Sequence, residues 1–229
     1  MWSDLTGEPS NPFPNKQFTW VSISGSFDKN NMIGRAFFHY LGVICGLDEP
    51  ETQVTEAERA MLRAHVAGCS RIVEIGVFEG FTTRMLAEAS DGDAVVFGVD
   101  PFFAGRLGIC WGLRVAEVFN RRYLATGKVK LVRTLSTVVG EEVPGSVDFV
   151  FIDGDHTLEG ITSDWEFWSI RVRPNGIIAL HDTLLRSGKG DTVELGSHRY
   201  FDAHIRYDRR FRIIGQVDSL SVLRRCHSA

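Results

Sequence analysis

The chain has 229 residues, 44% of them hydrophobic and 24% charged, which is typical of a globular protein with room for one full core. Its formal net charge of −4 excludes a strongly basic surface for nucleic acid or for an anionic membrane. Neither partner is therefore predicted, and a small neutral or polar substrate is favoured.

The cysteines predict free thiols, because they are widely separated and form no C-x-x-C pair. They are Cys45, Cys69, Cys110 and Cys226. The first residues lack the basic start and apolar core of a signal peptide. No run of about 18 apolar residues suggests a membrane span, so a cytoplasmic location is expected.

The composition predicts an N-terminal arm and cover segment at residues 1–54 and the main domain at 55–229. Three prolines within residues 1–19 indicate a poorly ordered arm, which we expect to contribute to a homodimer. Residues 20–47 mix aromatics and glycines without a clean period. They are interpreted either as a cover over a ligand pocket or as an irregular segment packed on the core.

The stretch R-I-V-E-I-G-V-F-E-G-F-T-T-R-M at residues 71–85 predicts a strand, a tight turn and a helix. Gly76 and Gly80 are expected to let the backbone approach a ligand. The spacing E-x-G-x-x-x-G differs from the G-x-G-x-x-G of dinucleotide binders. Glu74 and Glu79 disfavour a phosphate here and favour a cationic ligand.

Alternating strands and helices predict an α/β fold. It is a Rossmann-like, doubly wound, mostly parallel seven-stranded sheet with an antiparallel C-terminal strand pair. The predicted strands are 71–75, 94–99, 128–132, 147–152, 177–180, 212–214 and 220–223. The predicted helices are 55–68, 82–89, a helix closed by Gly127, 158–172 and 199–206. Glycines at 188, 190 and 196 predict a mobile loop at residues 186–199.

Polar side chains follow the predicted strand ends, which meet at one edge of a parallel sheet. They are Glu74, Asp100, Ser136, Asp153, His156, His181 and Asp182. Asp100 lies about 20 residues beyond the glycine loop, where an acidic residue accepts hydrogen bonds from ribose hydroxyls. The less favoured alternative is that Asp100 caps a helix that begins at Pro101, and the two roles are compatible. Asp155 is interpreted as a turn or cap residue.

Over residues 55–223 the chain resembles class I S-adenosylmethionine-dependent methyltransferases. The glycine loop, F-I-D-G-D-H-T-L-E-G and G-I-I-A-L-H-D carry the resemblance. Similarity is greatest to the small-molecule O-methyltransferases related to the macrolide sugar enzymes and, more distantly, to the catechol type. The resemblance implies that S-adenosyl-L-methionine is bound, with Ser136 at the position that contacts adenine. The implied donor-binding residues are Glu74, Gly76, Phe78, Gly80, Thr82, Asp100, Ser136 and Asp153.

The resemblance further implies a hydroxyl acceptor on a sugar or natural product, with His156 as the catalytic base. Asp153, His181 and Asp182 are then the metal site, with Mg²⁺ or Mn²⁺ expected. The metal-dependent relatives usually have two oxygen donors where this chain has His181 and Asp182, which leaves the third ligand and the metal open. Alternatively, His181 and Asp182 form a hydrogen-bonded pair that orients the acceptor while His156 acts alone.

Two other functions stay open at this point. One is a nicotinamide-dependent oxidoreductase on a similar sheet, against which the E-x-G-x-x-x-G spacing argues. The other is a non-catalytic module that only binds the donor, against which Asp153, His156 and Asp182 argue.

Overall fold

A computed structural model describes residues 31–105, 108–185 and 195–226, which form one sheet of seven strands with helices on both faces. The strands are β1 (Arg71–Ile75), β2 (Val95–Val99), β3 (Val129–Val132), β4 (Val147–Ile152), β5 (Val172–Leu180), β6 (Phe211–Val217) and β7 (Leu220–Arg225). The helices are α1 (Asn31–Cys45), α2 (Glu56–Val66), α3 (Phe81–Ala89), α4 (Trp111–Phe119), α5 (Arg121–Thr126), α6 (Leu158–Ser169) and α7 (Gly196–Ala203).

The strand order is β3-β2-β1-β4-β5-β7-β6. Strands β1 to β5 pair in parallel, whereas β7 pairs antiparallel with both β5 and β6. The predicted Rossmann-like fold is therefore confirmed. The order reverses between β1 and β4, and in such sheets the crevice at the carboxyl ends of the strands beside this reversal is where ligands bind.

The core lies on both faces of β4, whose residues are all buried, as expected for a central strand that is apolar except for Asp148. On one face β4 packs with α6 and α7 through side chains such as Trp165, Trp168 and Phe201. On the other face it packs with α2 and α3 through Leu62 and Leu86 among others. The two layers hold β1, β4 and β5 side by side, which fixes where their carboxyl ends meet.

Several predicted boundaries are wrong. Residues 31–45 form helix α1 rather than an irregular segment, and α4 begins at Trp111, so Asp100 caps no helix at Pro101. Helix α6 ends at Ser169, because Val172 already pairs with Val147 as the first residue of β5. The segment predicted to stop the helix, 174–176, lies inside β5, where Pro174 and Asn175 are exposed and the register with β4 shifts.

Helix α7 begins at Gly196 and ends at Ala203, earlier than the predicted 199–206. The predicted arm at residues 1–19 and most of the predicted loop, residues 186–194, lie outside the described residues. All four cysteines are free, as predicted. Among the described helices, none is both long and apolar enough to cross a membrane.

Candidate functional site

Two neighbouring strands bring two carboxylates and an imidazole together at the carboxyl edge of the sheet. Asp153 follows β4, and the pair His181 and Asp182 follows β5. His181 Nδ1 lies 2.9 Å from Asp153 Oδ1 and 3.6 Å from Asp182 Oδ1. One potential ligand atom from each residue falls within 4.8 Å of the other two. The predicted metal-site residues therefore converge.

The opposite edge of the His181 ring, at Nε2, contacts a carboxylate from α2. His181 Nε2 lies 3.2 Å from Glu58 Oε2, and both side chains are almost completely buried. Burial alone would lower the pKa of His181, but the charge of Asp153 and hydrogen bonds with Asp153 and Glu58 outweigh it and raise the pKa to about 10. Without a metal ion, His181 is therefore an imidazolium between carboxylates at neutral pH.

Asp182 has a left-handed backbone conformation with φ of 52°, which Asp tolerates better than most residues. Its neighbours hold this conformation in place. Ser197 Oγ donates to the Asp182 carbonyl at 2.9 Å, and Thr183 N donates to the Ser219 carbonyl at 2.9 Å. The Asp182 carboxylate is thereby directed between His181 and His156.

His156, the predicted base, lies in the loop between β4 and α6 and exposes 39% of its side chain. Its Nδ1 is 3.5 Å from Asp182 Oδ2. Asp155 Oδ1 accepts from Thr157 N at 2.9 Å, which confirms the prediction of a turn residue. The helix that follows is capped by Thr157. The site thus has one accessible imidazole, which faces a carboxylate.

Glu74, at the end of β1, is completely buried, and Thr83 Oγ1 donates to its Oε2. Its Oε1 is buried without a hydrogen-bond partner among the described residues. Burial raises the pKa of Glu74 well above its ordinary value, and the charges of Asp153 and Asp100 raise it further. A cationic ligand would ionise Glu74 and complete its hydrogen bonds, and binding of such a ligand by Glu74 remains a prediction.

Asp100 holds the glycine loop in place. Its Oδ2 accepts from the backbone N–H groups of Val77 and Phe78 at 3.0 and 3.2 Å, and its Oδ1 accepts from Phe102 N at 2.6 Å. Sequence reasoning missed this role, which leaves ribose binding a prediction.

The two loop glycines are required by protein packing. A Cβ on Gly76 would lie 2.1 Å from the Asp153 carbonyl oxygen, and one on Gly80 would lie 2.6 Å from Asn120 Nδ2. Both glycines have positive φ. The missing side chains therefore make room for the loop after β4 and for α4, a reason that the sequence analysis did not give. Contact of the loop, including Phe78 and Thr82, with a donor remains a prediction.

Ser136, which follows β3, hydrogen-bonds to Asp164 Oδ1 on α6. Asp164 is buried, and burial raises its pKa to about 6 despite the hydrogen bond from Ser136. The predicted adenine-contacting residue is therefore held by a carboxyl group that the sequence analysis overlooked.

Helix α1 is connected to the glycine loop through a second histidine. His39 Nε2 lies 2.9 Å from Glu79 Oε2, and His39 Nδ1 lies 2.6 Å from Asp48 Oδ2. Glu51 N also donates to Glu79 Oε2 at 2.6 Å. Rings of Phe37 and Tyr40 contact Trp111 of α4 at centroid distances of 5.8 and 5.6 Å. The α1 part of the predicted cover segment thus packs beside the loop.

Glu58 is the residue that sequence reasoning most clearly missed. The capping box was recognised correctly: Thr55 Oγ1 accepts from Glu58 N, and Glu58 accepts from Thr55 N. A second signal was present, because Glu58, Leu62 and Val66 follow at spacings of four and share the buried face of α2. A carboxylate on an apolar helix face requires a buried partner.

Residues 73–183 match the family model described as a methyltransferase domain. This part of the chain is therefore similar to methyltransferase domains. The matched region runs from β1 to the residue after Asp182, so it contains both the glycine loop and the carboxylate–histidine cluster. The resemblance to class I S-adenosylmethionine-dependent methyltransferases therefore stands, and it argues against the nicotinamide alternative.

Individual relatives are distant. The uncharacterized protein y4gI of Sinorhizobium fredii is 26% identical over 132 residues, which are 55% of this chain but 14% of that protein. The Bacillus cereus O-methyltransferase structure in complex with SAH is 18% identical, with a TM-score of 0.57 over 83% of this chain and 91% of that one. The O-methyltransferase TomG of Streptomyces achromogenes, in complex with SAM and involved in tomaymycin synthesis, is 18% identical, with a TM-score of 0.56 over 84% and 90%. At these identities the similarity establishes the fold.

Proposed function

We propose that this protein is an S-adenosylmethionine-dependent O-methyltransferase that acts on a hydroxyl group of a small molecule, a sugar or a natural product. The observation that carries the proposal is the arrangement at the carboxyl edge of the sheet. An accessible imidazole, His156, and a buried carboxyl group with an unsatisfied oxygen, Glu74, both lie close to Asp153 or its neighbour Asp182. This arrangement supports a base and a site for a cationic donor at the same edge of the sheet.

The donor side consists of the glycine loop and the residues at the ends of β1 and β2. Glu74 would accept a hydrogen bond from the donor's ammonium group, and the loop held by Asp100 would support the rest of the molecule. Ser136 and Asp164 would lie toward the adenine. When bound, S-adenosylmethionine supplies an electrophilic methyl group on a sulfonium. The SAM and SAH named in the titles of the two O-methyltransferase structures support this choice of donor.

The acceptor hydroxyl must lose its proton to become a good nucleophile. His156 suits this task because its side chain is partly exposed and its Nδ1 faces the Asp182 carboxylate. With the proton on Nδ1, the lone pair on Nε2 is directed away from Asp182 and can accept the hydroxyl proton. Asp182 then stabilises the imidazolium that results.

The potential ligand atoms of Asp153, His181 and Asp182 fit a divalent ion. Two carboxylates in contact are costly unless a cation neutralises them, and an imidazole nitrogen beside them completes three converging ligand atoms. When bound, such an ion would lower the pKa of a coordinated hydroxyl. In the alternative without a metal ion, His181 is an imidazolium that neutralises the carboxylates, and His156 is again the base.

The test of this function is donor binding and methyl transfer by the full chain. Calorimetry with S-adenosylhomocysteine should show binding to the parent protein. Glu74→Gln should weaken it by about 1–3 kcal/mol, because a hydrogen bond to a charged group is lost. The exposed Glu88→Gln on α3 serves as the matched control and should bind like the parent. Transfer of labelled methyl groups to a panel of sugars and phenols then identifies the acceptor class; failure of the parent to bind the donor analogue would contradict the proposal.

A further inference from the structure

Glu58 joins three separate parts of the chain at a point shielded from solvent. Its Oε2 accepts from Thr55 N at 2.8 Å and contacts His181 Nε2 at 3.2 Å. Its Oε1 accepts from Ser219 N at 2.9 Å and from Ser219 Oγ at 2.7 Å. The start of α2, the end of β5 and the β6–β7 turn therefore meet at one carboxylate whose two oxygens both accept hydrogen bonds.

A capping role alone does not require this arrangement. In a capping box the glutamate has only to accept from the N-cap N–H, which one oxygen does on the surface of a helix. Glu58 is fully buried and 123 residues from His181 in sequence. A buried carboxylate is strongly unfavourable unless it is paired and hydrogen-bonded. The contact with His181 supplies that pairing and, in return, fixes the imidazole ring.

The orientation of the ring determines which nitrogen is presented to the open side of the site. With Nε2–H donated to Glu58, the other nitrogen, Nδ1, is directed to Asp153 and Asp182. A neutral His181 of this tautomer carries its lone pair on Nδ1. Metal-binding histidines commonly donate their second ring N–H to a carboxylate in this way, which fixes the tautomer and the ring orientation.

We infer that Glu58 is a positioning residue that makes His181 Nδ1 a ligand of a divalent transition-metal ion, together with oxygens of Asp153 and Asp182. The inference rests on the proposed function, which gives the ion its catalytic purpose. Glu58 itself would act through His181 and would contact neither the substrate nor the ion. A site with one imidazole nitrogen and two carboxylates binds Mn²⁺ in preference to Mg²⁺, because Mg²⁺ prefers an all-oxygen shell. If Glu58 did not orient His181, Asp153 and Asp182 would be an ordinary pair of neighbouring carboxylates.

The test measures ion binding directly in the full chain, after chelator treatment and without substrate. Titration with Mn²⁺ followed by electron paramagnetic resonance should give a specific site in the parent, and Mg²⁺ should displace Mn²⁺ only at much higher concentration. Glu58→Gln should weaken Mn²⁺ binding about 10- to 100-fold, as expected for loss of the carboxylate partner of a metal-binding histidine. Its affinity for S-adenosylhomocysteine should remain like that of the parent.

Thr55→Ala is the matched control, since it removes the hydroxyl that caps Glu58 N and leaves the Glu58–His181 contact intact. Equal loss of Mn²⁺ affinity in both variants would show that a loosened α2 start is the cause and would overturn the inference. A second measurement uses only the parent protein, so its outcome does not depend on the folding of Glu58→Gln. In protein labelled with ¹⁵N-histidine, spin-echo modulation should show nitrogen coupled to bound Mn²⁺.

Absence of that coupling, or of any specific Mn²⁺ site in the parent, would also overturn the inference. These outcomes are separate from the proposed function, because donor binding and methyl transfer are measured independently. A parent protein that transfers methyl groups after exhaustive chelation and has no Mn²⁺ site would retain the proposed function and lose the role assigned to Glu58.

Discussion

At the scale of single residues, burial separates two histidines that look equivalent in sequence. His181 is 1% exposed and lies between carboxylates that raise its pKa to about 10, so it cannot accept a proton at neutral pH in the absence of metal. His156 is 39% exposed and faces a single carboxylate. We therefore propose His156 rather than His181 as the general base.

His156→Ala should lower turnover by roughly 100- to 10,000-fold, which is the usual contribution of a general base. Donor affinity measured by calorimetry should remain nearly intact, because His156 lies on the acceptor side of Asp182. His204→Ala, an exposed histidine after α7, is the control and should keep parental turnover. If His156→Ala retained most of its turnover between pH 6 and pH 9, the base would have to be another group.

At the scale of elements, helix α1 depends on a polar contact as well as on apolar packing. Phe37 and Tyr40 pack against Trp111, while His39 lies between Glu79 of the glycine loop and Asp48 beyond α1. Partial burial would lower the pKa of His39, but hydrogen bonds and charges of these two carboxylates outweigh it and raise the pKa. His39 therefore connects α1 to the glycine loop, and the raised pKa means that protonation of His39 strengthens this contact.

The attachment of α1 should weaken as the pH rises. A histidine whose folded-state pKa is raised contributes stability that is fully present below its unfolded pKa of about 6.5 and is lost as the pH passes through the folded value. Hydrogen exchange of α1, corrected for the intrinsic pH dependence of exchange, should therefore increase several-fold from pH 6 to pH 9. His39→Gln should remove most of this change. Equal pH dependence in the variant and the parent would show that His39 does not hold the helix.

At the scale of the whole molecule, the site exists because β1 and β4 lie side by side where the strand order reverses. Their carboxyl ends approach so closely that Gly76 has no room for a side chain against the Asp153 carbonyl. This contact places the glycine loop directly beside Asp153, the first residue of the cluster that Asp153, His181 and Asp182 form. The close approach of the two strand ends is thus part of the site's construction.

Gly76→Ala should destabilise the protein more than Gly68→Ala, although both glycines have φ near +80°. At Gly68 a new Cβ meets nothing within 4 Å, so only the left-handed backbone penalty of roughly 1–2 kcal/mol applies. At Gly76 overpacking adds about 1–3 kcal/mol. Urea denaturation of both variants measures the difference, and equal losses of unfolding free energy would mean that the strand ends are not in close contact.

The sequence by itself determined the order of the elements from α2 onward and the residues at the carboxyl ends of the strands. Apolar runs, the glycine turn after β1 and the Thr55–Glu58 capping box are local signals, and each was read correctly because it involves only neighbouring residues. The parallel sheet follows from the alternation of strands and helices. The convergence of Asp153, His181 and Asp182 follows in turn from that sheet.

Only the tertiary structure decided the partners of those residues. The contacts of Glu58 with His181, of Ser136 with Asp164 and of His39 with Glu79 span 123, 28 and 40 residues, and no local pattern encodes them. The same holds for the start of β5, where pairing with β4 overrides the turn signal of 174–176. Burial and charge pairing arise when distant segments pack together, and they distinguish the accessible His156 from the buried His181.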